Sequence, residues 1–134
     1  MTEKVNYLTV IVGAVGGFFA YWLGGWDILL KTVLACTVID FITGVLEALY
    51  KGECNAKECG DGIIRKVLMY LVIALSFVLQ TGSGIDIPIR EVTIMFYIAQ
   101  ESISVLENVG GIVNYPEKLR NMLKQLSGGE QANE

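Results

Sequence analysis

Apolar positions fall into four long blocks along this chain, and the blocks differ in the charge they carry. Val5–Trp26 contains no charged residue, and Val67–Ile85, after Arg65 and Lys66, contains one of neither sign. Ile28–Tyr50 carries Lys31, Asp40 and Glu47, and Pro88–Val109 carries Arg90, Glu91, Glu101 and Glu107. A helix of about 20 apolar residues crosses a hydrocarbon layer of roughly 30 Å. The pattern therefore predicts an all-α membrane protein with four transmembrane helices, over about 5–26, 28–50, 65–85 and 88–109. Asp86 is placed as an N-cap for the fourth, and Gly110–Gly111 as its stop.

Beyond Tyr115, Leu119, Met122, Leu123 and Leu126 recur at i, i+3, i+4 and i+7, with Lys118, Arg120 and Lys124 on the other faces. That spacing predicts a short C-terminal amphipathic helix over 116–126, with Pro116 in its first turn. It would lie on the inner membrane surface or pack on a neighbour. Residues 127–134 are expected to be a flexible tail, and 1–134 a single membrane domain.

Within the blocks, polarity is one-sided. At about 100° per residue, Cys36, Thr43, Gly44, Glu47 and Lys51 fall within about 60° of Asp40, opposite Val38, Ile42, Val45 and Leu49. In the fourth block Arg90, Thr93, Tyr97, Gln100, Glu101, Ser104, Glu107 and Asn108 share a sector roughly 140° wide. Ile94, Met95, Ile98, Val105 and Leu106 line its other side. A carboxylate at mid-helix costs about 2.5–3.5 kcal/mol on insertion scales, so such residues face protein or water. Three arrangements satisfy this. The stripes seal against each other in a monomer, they form an ion-coupled transport site, or they line a water-filled space built from several copies. Stripes running the whole helix length favour the third.

Composition narrows the chemistry. The chain is 53% hydrophobic and 18% charged, a poor balance for a small soluble domain. Its net charge of −4 argues against a nucleic-acid partner. There is no histidine, which removes the commonest metal ligand and general base. Cys54 and Cys59 alone make a poor metal site, and Cys36 lies in an apolar run. No catalytic residue, metal or cofactor is expected.

In the first block Gly13, Gly17, Ala20 and Gly24 form one smooth face of the kind that lets membrane helices approach closely. Lys and Arg distribution sets orientation. With four spans and a cytoplasmic N-terminus, Lys4, Lys51, Lys57, Arg65, Lys66, Lys118, Arg120 and Lys124 lie inside, against Lys31 and Arg90 outside. Both termini are thus expected in the cytoplasm.

"VIDFITGVLEAL" (38–49), "GDGIIRKVLMYLVIAL" (60–75), "FYIAQESISVLENVGGI" (96–112) and "YPEKLRNML" (115–123) resemble, in that order, the toxin-secretion and phage-lysis holins of phage holin family 4. The matching positions are Asp40, Thr43 and Gly44; Gly62 and Lys66; Glu101, Ser104, Leu106, Glu107 and Asn108; and Pro116. Gln100 stands where an Asn is expected, and residues 1–35 match by hydrophobicity only. The resemblance implies a protein of the bacterial host's cytoplasmic membrane that oligomerises with itself into holes. These release a cytoplasmic endolysin or export a toxin, with no direct contact to either required. Two other classes remain open: a small four-helix proton-coupled transporter, and a membrane anchor or scaffold docking through 116–126.

Overall fold

The computed structural model describes residues 6–128. Val5 at the expected helix start, Lys4 in the charge count and the tail from residue 129 onward lie outside the described residues.

Five helices follow one another: α1 (Tyr7–Trp22), α2 (Ile28–Lys51), α3 (Ala56–Ser83), α4 (Ile89–Gly110) and α5 (Glu117–Leu126). There is no strand among the described residues. The Asn6 side chain caps α1 by accepting from Leu8 N–H, Asp27 caps α2 by accepting from Leu30, and Asn55 caps α3 by accepting from Lys57. Gly52 and Gly84, both left-handed, end α2 and α3.

Two helices, α2 and α3, are long and apolar enough to cross a membrane. Four spans were expected, and α1 and α4 differ from that expectation in separate ways. α1 has 16 residues, a rise of about 24 Å. It stops at Trp22 instead of running to Trp26, because Gly24 (φ +90) and Gly25 (φ +103) turn the chain. α4 has length enough at 22 residues but carries four charges.

Two boundaries also move. α3 begins at Ala56, not near residue 65, because the Asn55 cap starts the helix in polar sequence. Arg65 and Lys66 are consequently mid-helix groups and not loop cations. Pro88, not Asp86, holds the N-cap position of α4 and makes no side-chain cap. The Gln80 carboxamide oxygen instead accepts from Arg90 N–H at 2.7 Å.

α2 and α4 run parallel and make the most extensive helix pair, with α3 antiparallel to both and packed mainly on α4. α4 accompanies α2 from Asp27, beside Arg90, to Glu47, beside Gly111. Leu30, Val33, Ile73 and Ile94 are fully buried between them, with Met69 at the edge. α1 has no buried residue, touches α3 only lightly and makes no close approach to α2. An apolar cavity of about 910 Å³, lined by Phe18, Trp22, Phe41 and Val67, separates it from the bundle.

Candidate functional site

Two ionic centres lie at different depths, with the apolar core between them. The outer one is built by Arg90, in the first turn of α4 and almost wholly buried. Its guanidinium forks onto the Asp27 carboxylate, Nη1 to Oδ2 at 2.7 Å and Nη2 to Oδ1 at 3.1 Å. Nε donates to Leu23 carbonyl oxygen at 2.5 Å, and Nη2 to that of Gly25 at 3.3 Å. One planar side chain thus fastens the α1–α2 turn and the α2 cap to α4. Gly24 lies beneath it, where a Cβ would collide with Arg90 and Phe77. The Arg90 guanidinium holds the Asp27 carboxyl below the usual carboxylate range.

About 13 residues down α2, some 20 Å by helical rise, stands the inner centre. Lys66 Nζ donates to Asp40 Oδ2 at 2.5 Å and to Glu101 Oε2 at 2.6 Å. The three groups come from α2, α3 and α4, and all are largely buried. Two carboxylates facing one ammonium leave one excess negative charge when all three are ionised. Asn108 supplies further donors, its Nδ2 reaching Asp40 Oδ1 at 2.9 Å, Asp40 carbonyl oxygen at 3.2 Å and Thr43 Oγ1 at 3.1 Å. One turn outward, Thr37 Oγ1 donates to Val33 carbonyl oxygen at 2.7 Å. With that hydroxyl proton committed, the Tyr70 hydroxyl donates to Thr37 at 3.0 Å.

Below this level the bundle opens. A cavity of about 230 Å³, bordered by Asp40, Asn55, Glu58, Cys59 and Asn108, runs from the triad toward the α2–α3 loop. A second, of about 510 Å³, opens outward between α3 and α4 past Arg65, Tyr97 and Gln100. Water entering either reaches charged side chains without crossing the apolar core.

The expected polar stripe of α2 divides by depth. Asp40 is buried, Thr43 and Gly44 are half-buried against Asn108, and Glu47 pairs locally with Lys51 at 2.6 Å while touching Gly111. On α4 the inward face is rotated from the polar sector. Arg90 and Glu101 point inward with Ile94, which polarity placed on the opposite side; Thr93, Tyr97, Ser104 and Asn108 are half-buried. Gln100 and Glu107 are exposed. Packing overrides the sector because α4 must serve both α2 and α3, and Ile94 is needed in their shared core.

The smooth face on α1 is not used within the chain. Gly13 and Gly17 have nothing within 4 Å of a built Cβ, Ala20 is half-buried, and Gly24 belongs to the turn and not to the helix face. On α5, Leu123 is buried, while Leu119, Met122 and Leu126 remain exposed along with Lys118, Arg120 and Lys124. Leu126 and Ser127 border a cavity of about 460 Å³ with Phe96, Gln100, Ile103 and Glu107, so α5 turns back beside α4.

Sequence reasoning missed the role of Lys66, which it read as flanking a span. Its signal was its position: a cation next to an uncharged block, when two neighbouring blocks each hold a mid-helix carboxylate. Asp27 as the Arg90 partner was missed too, since nothing local links residues 63 positions apart.

A family model described as the bacteriophage holin family matches residues 17–128. A 14.9 kDa protein in the nagH 3′ region of Clostridium perfringens is 34% identical, covering 95% of this chain and 98% of its own. The uncharacterized protein Lmo0128 of Listeria monocytogenes is 33% identical over 81% of this chain and 78% of its own. A probable holin of Bacillus phage phi105 is 32% identical over 62% of each. No solved structure matches.

Proposed function

The chain belongs to the bacteriophage holin family, and from that premise we propose that it assembles with copies of itself into holes in the bacterial cytoplasmic membrane. Through these holes a cytoplasmic endolysin reaches the cell wall, or a toxin leaves the cell. The observation that carries this reading is the Lys66 bridge between Asp40 and Glu101. It keeps two mid-helix carboxylates away from lipid in a single chain, while polar cavities lead to it from two sides. A lone helix carrying those groups would be poorly tolerated in hydrocarbon. Three helices sharing them are stable in lipid and keep polar surface ready for a water-filled assembly.

In this proposal α4 crosses the membrane with α2, because the two lie side by side from Asp27 to Glu47. α1 crosses as a fourth, loosely attached span. Both termini are cytoplasmic, the remaining Lys and Arg residues lying mostly on that side. The lipid bilayer and further copies are the partners; the released protein passes without needing a docking site.

Expression in bacteria, with and without a cytoplasmic endolysin, tests the reading. Delayed killing with loss of macromolecules, and lysis only when endolysin is present, is the expected result. Proton flux coupled to one small substrate, without leakage of large solutes, would establish a transporter instead. Harmless accumulation in the membrane would establish an anchor.

A further inference from the structure

The apolar cavity of about 910 Å³ has α1 on one side and α2 and α3 on the other. Along α3 its wall runs from Ile63 to Ala74, about 16 Å of helical rise. Half of a hydrocarbon layer of roughly 30 Å has nearly the same length. The polar groups of the wall are engaged elsewhere. The Thr37 hydroxyl donates to Val33, the Tyr70 hydroxyl donates to Thr37, and the Lys66 ammonium turns to Asp40 and Glu101, leaving its methylene stem on the wall. Such a wall fits hydrocarbon, since water would find too few partners there.

A charge stands beyond one end. Lys31 precedes Val38 of the wall by two helical turns, within about 20° around α2 and about 10 Å nearer the α1–α2 turn. Its stem leans further that way, because side chains tilt toward the N-terminus of their helix. Lys31 is exposed and has no ion-pair partner among the described residues. Asp27, one turn before it, is taken by Arg90. Trp22 borders the cavity at this end and Trp26 follows in the turn, both exposed, and indoles favour the headgroup level of a bilayer. We propose that the cavity holds an acyl chain of an anionic phospholipid from this leaflet, with the lipid phosphate on Lys31. The length and apolar wall select a lipid chain, and the unpaired ammonium at its headgroup end selects a negative headgroup. The site rests on α1 crossing the membrane, as proposed above, and not on hole formation.

Tryptophan quenching tests this. The full-length chain with Trp26→Phe keeps Trp22 as its one indole. It is reconstituted in phosphatidylcholine vesicles, into which phosphatidylglycerol or phosphatidylcholine with brominated acyl chains is titrated. The brominated phosphatidylglycerol is expected to quench Trp22 at about fivefold lower mole fraction. Lys31→Gln should remove that difference, and Lys31→Arg should keep it. Val67→Phe with Ala74→Phe, which fills the cavity, should remove it too, with helix content unchanged by circular dichroism. Equal quenching by the two lipids in the Trp26→Phe chain overturns the proposal, as does a preference that survives Lys31→Gln or the filled cavity. Quenching lost as protein is added at constant lipid composition assigns the cavity to a second copy and overturns it as well. Trp22 unquenched by either lipid refutes α1 as a span, a result distinct from equal quenching, which leaves the span standing without the lipid site.

Discussion

The outer and inner halves of this bundle solve the same problem differently. Both must hold charged side chains among helices of membrane length. The outer half does so with one saturated arginine, whose donors are spent on Asp27, Leu23 and Gly25, and with four fully buried apolar side chains beneath it. The inner half has the Lys66 triad, two cavities that reach it, and the Asn108 side chain bonded across from α4 to Asp40 and Thr43 of α2. In lipid, apolar burial adds little driving force, so close packing and polar pairing decide which contacts persist. On the function proposed above, the half fastened by Arg90 is expected to stay together during assembly, and the half joined by side-chain hydrogen bonds is expected to rearrange.

Replacing Lys66 with Met should give the largest effect. It leaves Asp40 and Glu101 facing each other without a cation, and loss of one partner from a buried ionic group costs about 3–5 kcal/mol. Unfolding in mixed detergent micelles measures it. The triple change Lys66→Met, Asp40→Asn and Glu101→Gln should recover most of that stability while leaving hole formation impaired. If the triple variant lyses cells on the parental schedule, the triad is a packing device and the inner half is no more functional than the outer.

The glycines separate the halves more finely. Gly24→Ala puts a Cβ against Arg90 at a left-handed position and should cost about 1–3 kcal/mol. Gly13→Ala, with open space around it, should stay within about 0.5 kcal/mol in the monomer. Equal effects would show that the Arg90 clamp does not anchor the turn. Asn108→Ala removes the donors to Asp40 and Thr43 and should cost about 1–2 kcal/mol. Hydrogen exchange should then rise in the last turns of α4 and leave Leu30 and Val33 protected.

The smallest effect expected is a pH dependence of the outer clamp. Asp27 has a folded-state pKa lowered chiefly by its hydrogen bond to Arg90. Its contribution is therefore complete above the ordinary carboxylate value near ~3.9 and is lost as pH falls through the lowered one. With the Asp27 side chain 44% exposed, solvent screening keeps the gain small. Protection at residues 23–30, taken relative to the intrinsic exchange rate at each pH, should be flat above about pH 5 and fall only in stronger acid, and Asp27→Asn should abolish that fall.

Much of this was legible before any coordinates. Long apolar blocks dictate membrane-length helices because hydrocarbon leaves backbone groups no other partner. The mid-helix carboxylates announced that protein or water must meet them. Family membership followed from four short motifs, and those motifs carry Asp40, Lys66, Glu101 and Asn108, the residues that meet in the bundle. What the chain could not state alone was who meets whom. Residue polarity assigns a side chain to a sector, but rotation of α4 about its axis is set by simultaneous packing on α2 and α3. That rotation sends Ile94 and Glu101 inward together and leaves Gln100 and Glu107 outside. Likewise, a basic pair ahead of an apolar block reads as a loop until the helix is seen to begin nine residues earlier. Only then does Lys66 fall level with Asp40. Sequence sets which groups must be satisfied in lipid, and the tertiary arrangement chooses their partners, because an ion pair between helices depends on relative depth and rotation that no local pattern encodes.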